Sequence, residues 1–308
     1  MRSSFLCLGF RLMVGVAVWA GVGLRAQEVV RVAWPTKNAA APATGTEAAV
    51  YMPVLRASAA RLPEASIVSL ALRQSAALGL SEADAAKLNE LVARRYVAIA
   101  ASPVFKAVPS VLGYCFAEAR PAEGLALLYR PAKTSAQTPV ILFLHGYGGS
   151  FLWYQHQLAE WFPDHIILCP AYGIDPSAVS AAYIKECLAA AGAKLGHALA
   201  KPVLIGLSAG GFGATRVYAA NPAPYRELIV MAAYPPDDAF RRWPKAARAG
   251  FLVGEREYYV KDGGFADYSR SLTARSAFYQ GVVIPKADHF FLLTHPAETR
   301  RQLLVWMK

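Results

Sequence analysis

Cysteine is scarce in this sequence: there are four in 308 residues, with no Cys-x-x-Cys spacing among them. That excludes a small disulfide scaffold and gives no support to a thiolate metal site. Charge is thin as well. Charged residues make up 17 %, and the basic pairs Arg94-Arg95, Arg241-Arg242 and Arg300-Arg301 stand isolated. No block of like charges marks a nucleic-acid arm, so nucleic acid is not an expected partner. Long apolar runs are missing too. One stretch, residues 12–24, is apolar without interruption, and its 13 residues are too few to span a bilayer comfortably. Multi-span membrane proteins are therefore excluded. An aromatic content of 11 % and a hydrophobic content of 55 % exclude disorder and collagen.

What is present is small and apolar. The chain holds 58 alanines, so its mean hydropathy of +0.28 reflects small side chains more than Leu, Ile and Phe. The first 26 residues read as an export signal: Arg2 and Arg11 supply the positive start, residues 12–24 the apolar segment, and Leu24-Arg25-Ala26 the exit before Gln27. Leu24 is large for its place, which leaves an uncleaved anchor open. Cys7 lies before the apolar run and does not read as a lipoprotein cysteine. Removal of residues 1–26 lowers the formal charge from +11 to +8. The expected location is secreted or periplasmic, with no membrane span after signal removal. The remaining cysteines, Cys115, Cys169 and Cys187, are odd in number. Export permits a disulfide, for which Cys169–Cys187 is the pair to test, but such a count more often means buried thiols.

Residues 27–62 are rich in Ala, Pro and Thr and read as a tether or loosely held arm. Residues 63–110 read as a helical extension. Helical periodicity appears over residues 67–78, and a second helix opens at Ser81, a plausible N-cap with Asp84 at the reach-back position, and runs to Ala101 before Pro103. These helices either pack on the core or cap the site. From residue 111 to 308 short apolar runs alternate with helical segments. Residues 113–119 and 124–129 read as a strand pair. Residues 140–144, 166–169, 203–207, 228–231, 251–253 and 282–284 read as strands buried on both faces. Residues 152–161, 178–197, 211–220 and 296–307 read as helices, and a short one fits around 237–247. The fold class is α/β, a mostly parallel sheet with helices on both faces, preceded by the helical extension. Ligands bind such sheets beyond the carboxyl ends of the strands.

At one such strand end, residues 203–207 lead into Gly206-Leu207-Ser208-Ala209-Gly210-Gly211 and then a helix. Gly-x-Ser-x-Gly places a serine on a tight strand-to-helix turn where small neighbours relieve crowding and the hydroxyl projects. The competing reading is a glycine-rich turn made for close packing. Upstream, the strand 140–144 ends in His145-Gly146-Tyr147-Gly148-Gly149. With these motifs the chain resembles the α/β-hydrolase superfamily over about residues 113–308. Within it the serine turn is similar to that of secreted polyhydroxybutyrate-depolymerase-like and feruloyl-esterase-like enzymes.

The resemblance implies Ser208 as nucleophile, an oxyanion hole from the backbone N–H groups of Tyr147 and Ala209, and a histidine base after the last strand, which is His289. It implies a structural part for His145. His295 reads as opening the final helix, and His156, His165 and His197 as surface or core residues. The acid should follow the strand 251–253. Three residues after Gly254 stands Glu257, with Glu255, Asp262 and Asp267 as competitors. Asp288 adjoins the histidine and reads as a loop residue.

Such a set cleaves carboxylic esters through an acyl-enzyme and needs no metal or organic cofactor. A peptidase or acyltransferase on the same scaffold, and a catalytically silent binding protein, are the competing readings. Tyr147, Phe151, Trp153, Tyr154, Tyr172, Phe212, Tyr234, Tyr258, Tyr259, Phe290 and Phe291 crowd the loops near the expected site. Those not in the core would line an apolar pocket for short-chain, aryl or polymeric esters, so the expected partner is a small-molecule or polymeric ester. The gap 232–250 is too short for a large lid.

Overall fold

The computed structural model describes residues 26–72, 81–174, 179–235, 247–275 and 279–308. The expected export segment, the end of the helix expected over 67–78, and nearly all of the short helix expected around 237–247 lie outside them. Strand β1 (Glu28–Pro35) is followed by helices α1 (Thr46–Arg61), α2 (Glu64–Leu72), α3 (Glu82–Ala101) and the single turn α4 (Leu112–Cys115). Strands and helices then alternate: β2 (Glu123–Arg130), β3 (Val140–Leu144), α5 (Leu152–Trp161), β4 (Ile166–Ala171), α6 (Ala181–Leu195), β5 (Val203–Leu207) and α7 (Ala209–Ala220). The chain continues through β6 (Glu227–Met231), β7 (Ala249–Gly254), α8 (Tyr258–Lys261), α9 (Gly264–Arg275), β8 (Tyr279–Ile284), α10 (Phe291–Thr294) and α11 (Pro296–Trp306).

The strands form one sheet in the order β1-β2-β4-β3-β5-β6-β7-β8. The β1–β2 and β2–β4 pairs are antiparallel, and the remaining pairs are parallel. This is the mostly parallel sheet expected from the sequence. Its central strands are buried on both faces because alternate side chains enter separate cores. Ile141 and Phe143 belong to the core shared with α2, α3, α5 and α11, whereas Val140, Leu142 and Leu144 belong to the core shared with α6, α7 and α9.

Two expectations need correction. Residues 27–62 are not a loose arm, since they supply β1 and α1. In β1, Val32 and Trp34 are buried while Arg31, Ala33 and Pro35 are exposed, the alternation of a half-buried strand. Trp34 stands opposite Gly124 in the ladder, where a Cβ on Gly124 would lie 2.1 Å from the indole. The missing side chain thus admits the ring and helps pin the register. Residues 113–119 are not a strand either. Val111, Leu112, Cys115 and Phe116 are all buried, and that spacing is the period of a helical turn, which α4 supplies. Helix α9 was not anticipated.

The extension is joined to the sheet layer by a buried carboxylate. Glu64 opens α2 and is 7 % exposed. It accepts hydrogen bonds from the Tyr96 hydroxyl of α3 at 2.7 Å, from the Ser110 hydroxyl at 2.5 Å and from the Leu152 N–H at the start of α5 at 2.5 Å. Burial raises its pKa above the ordinary 4.5, and the three donors only partly oppose that shift. A carboxyl whose folded pKa is raised stabilises the fold fully below its unfolded pKa and loses that contribution as pH rises through the folded value. Glu64→Gln should therefore flatten the stability profile between pH 4.5 and that raised value, measured by urea denaturation across the range. Glu64→Ala, which strands three buried donors, should cost on the order of 3 kcal/mol.

Candidate active site

The turn from β5 into α7 carries Ser208 at φ 53° and ψ −122°, a conformation sparsely populated by residues with a side chain. Its N–H donates to the Met231 carbonyl at 2.7 Å, which ties the turn to the end of β6. The flanking glycines let helix and strand close on each other. A Cβ on Gly206 would lie 2.4 Å from the Gly210 carbonyl oxygen, and one on Gly210 would lie 2.3 Å from the carbonyl oxygens of Leu144 and His145. Ala209 is the first residue of α7, where leading N–H groups have no acceptor within the helix.

The loop after β3 runs alongside this turn. A Cβ on Gly146 would sit 3.3 Å from that of Ser208, so the backbone next to Tyr147 reaches the serine. Gly148 and Gly149 have φ of 98° and 121°, left-handed values that favour glycine. A side chain on Gly149 would meet Leu112 and Cys115, so the turn α4 packs directly beneath this loop. His145 is buried, with its ring stacked on Tyr172 at a centroid distance of 3.8 Å and its Nδ1 2.8 Å from the Gly146 carbonyl. Burial pushes its pKa down to about 4. An uncharged, enclosed imidazole of this kind is a structural part of the loop.

His289 follows β8 and is the histidine that reaches Ser208. Its Nε2 lies 2.9 Å from Ser208 Oγ, and its Nδ1 lies 2.9 Å from Glu257 Oε2. Glu257 follows β7 and is buried. Its Oε1 accepts the Gly254 N–H at 3.0 Å, and its Oε2 also accepts the Tyr259 hydroxyl. The competing carboxylates are engaged elsewhere: Glu255 accepts from Lys286 N–H, Asp262 from Gly264 N–H, and Asp267 pairs with Arg270. Asp288 accepts from the Phe290 N–H at 2.9 Å and holds its own loop. His295 caps α11, while His156 is buried in α5.

Ser208, His289 and Glu257 open onto a cleft of about 500 Å³. Phe212, Tyr234, Tyr258, Tyr259 and Phe290 line it, whereas Trp153, Tyr154, Tyr172 and Phe291 belong to the core. Tyr147 is exposed. Among the residues of the cleft that the sequence did not point to are Asp84 and Arg256. Asp84 of α3 lies 3.9 Å from Arg256, so the extension forms part of one wall. In sequence Asp84 reads as part of a helix cap and Arg256 is not singled out, and nothing in their spacing connects them. Among the described residues no group of three or more His, Cys, Asp and Glu could hold a metal ion. Cys115, Cys169 and Cys187 are buried free thiols, and burial pushes that of Cys115 up to about 12.

No family model matches the sequence, and no curated protein matches it. Solved structures do resemble it. An esterase of Pyrobaculum calidifontis is 17 % identical, with 61 % of this chain and 81 % of that one covered and a TM-score of 0.48. An S-formylglutathione hydrolase of Staphylococcus aureus is 13 % identical, with 60 % and 90 % covered and a TM-score of 0.48. A dienelactone hydrolase of Anabaena variabilis is 20 % identical, with 60 % and 93 % covered and a TM-score of 0.45.

The contact between α7 and the end of β3 is a tight steric constraint in the site. Gly210→Ala drives a methyl group into two backbone carbonyls that cannot swing aside. It should cost on the order of 3 kcal/mol, seen as a lowered Tm in calorimetry, whereas alanine at Gly113, with open space around it, should leave Tm near that of the wild type.

Proposed function

We propose that this protein is an exported serine hydrolase that cleaves carboxylic esters through an acyl-enzyme. One observation carries the reading: the continuous hydrogen-bonded line from Ser208 Oγ through both ring nitrogens of His289 to the buried Glu257 carboxylate. His289 takes the serine proton through Nε2 as Oγ attacks the ester carbonyl. Glu257 holds Nδ1–H, fixes the tautomer and stabilises the imidazolium. The N–H groups of Tyr147 and Ala209 receive the oxyanion, assisted by the positive end of α7. His289 then protonates the leaving alcohol, and a water molecule repeats the sequence to free the acid.

The size of the cleft and the aromatic part of its lining favour short-chain or aryl esters, or the end of a polyester chain, since a cleft of this volume suits a small ligand. Export is supported by the charge and hydropathy of the first 26 residues, and a cut before Gln27 would leave β1 intact from Glu28.

Fluorophosphonate labelling tests the nucleophile. Wild-type protein should take up the label and Ser208→Ala should not; an unlabelled, folded wild type would defeat the proposal. Glu257→Gln should lower kcat against p-nitrophenyl butyrate on the order of a thousandfold, by analogy with loss of the triad acid elsewhere. Undiminished activity would move the acid to another residue. Across p-nitrophenyl esters of increasing chain length, kcat/KM should peak among short acyl groups and fall by laurate, with no cleavage of peptide anilides.

A further inference from the structure

Glu257 does not face His289 alone. Its Oε2, the oxygen that accepts from His289 Nδ1–H, also accepts the hydroxyl of Tyr259, the second residue of the turn α8. Its Oε1 is held by the Gly254 N–H. The carboxylate is 4 % exposed at its side chain, so water offers little competition to these donors. The Tyr259 ring is itself fixed. It is buried, lies nearly parallel to Tyr234 at a centroid distance of 5.6 Å, and meets Tyr258 edge-on at 5.1 Å. Tyr234 is anchored in turn by donating its hydroxyl to the Gly264 carbonyl at 3.2 Å. A buried phenol packed against two neighbouring rings and bonded to the carboxylate oxygen that holds the histidine is more than core filling.

We infer that Tyr259 is a positioning residue for catalysis, one that shares the negative charge of Glu257 Oε2 and thereby sets how strongly the carboxylate favours the imidazolium of His289. The inference rests on the serine-hydrolase reading above. Two donors on one oxygen divide its charge, so each interaction is weaker than it would be alone. Burial, and next the adjacent Glu257 carboxylate, raise the Tyr259 pKa far above its ordinary range, so the hydroxyl remains a donor wherever the enzyme works. Without it, more of the carboxylate charge faces Nδ1–H, the imidazolium is favoured, and the histidine is available as a base only at higher pH. The carboxylate also gains freedom to rotate away from the ring.

Tyr259→Phe keeps the ring and its stacking and removes only the hydroxyl. On p-nitrophenyl butyrate, kcat/KM at neutral pH should fall about tenfold, carried by kcat, with KM within about twofold of wild type. The acid limb of the kcat/KM profile should move up by about half a unit to one unit. Replacing Tyr259 by 3-fluorotyrosine, a stronger donor of nearly the same shape, should move that limb the opposite way. It gives an independent reading should the phenylalanine variant fold poorly. Because the effect passes through Glu257, adding Tyr259→Phe to Glu257→Gln should cause little further loss. An unmoved acid limb in both variants, a loss confined to Tm, or fully additive losses in the double variant would each overturn the inference. Fluorophosphonate labelling separates the two levels of argument: an unlabelled wild type sinks the serine-hydrolase reading and this inference with it, whereas a labelled wild type with an unmoved limb sinks the inference alone.

Discussion

Helix α7 approaches the ends of β5 and β3 so closely that backbone meets backbone, and much of the site depends on that contact. It needs glycine at 206 and 210, and it forces Ser208 into left-handed φ. In return, the same closeness brings the start of a helix to the carboxyl end of the sheet, where the loop after β3 and the loops after β7 and β8 also arrive. A strained serine is tolerable only where its surroundings determine it from several sides. Here the strand, the helix and the Met231 carbonyl all do so.

Around this rigid point the polar groups are arranged in successive shells of decreasing exposure. His289 is half exposed, Glu257 is buried, and its other donors are the equally buried Tyr259 and a backbone amide. The gradient matters for chemistry because a hydrogen bond gains strength as water is excluded, while an unpaired polar group becomes more costly. A glutamate side chain reaches one methylene further than an aspartate. The Glu257 carboxylate engages the amide of its own turn through Oε1 and two side chains through Oε2.

Much of this arrangement was legible in the sequence, for reasons that differ by element. The central strands announce themselves because burial on both faces leaves only apolar residues in a run, as at Val203–Leu207. Ser208 and His289 are legible because glycine patterns and chain order are local. Ser81 was readable as a cap, and its Oγ does accept the Asp84 N–H. Strand β1 was obscured because Ala, Pro and Thr dominate the surrounding composition and its two buried residues, Val32 and Trp34, carry too faint an alternation. The turn at 112–115 was misread because four apolar residues in a short span fit either period. Tyr259 was named only as an aromatic near the site, and Glu64 not at all. Their parts depend on partners brought together by the fold, and sequence spacing holds no record of that.

The packing of α4 against Gly149, and of Glu64 against the first N–H of α5, bears on where the smallest working unit of this protein ends. A boundary drawn at residue 113, where the resemblance in sequence begins, would cut through α4, the floor of the loop that carries Tyr147. The helices ahead of that point are foundations rather than ornament. A shortened chain would have to rebuild the underside of the loop from solvent, and water does not hold a backbone amide at a fixed angle.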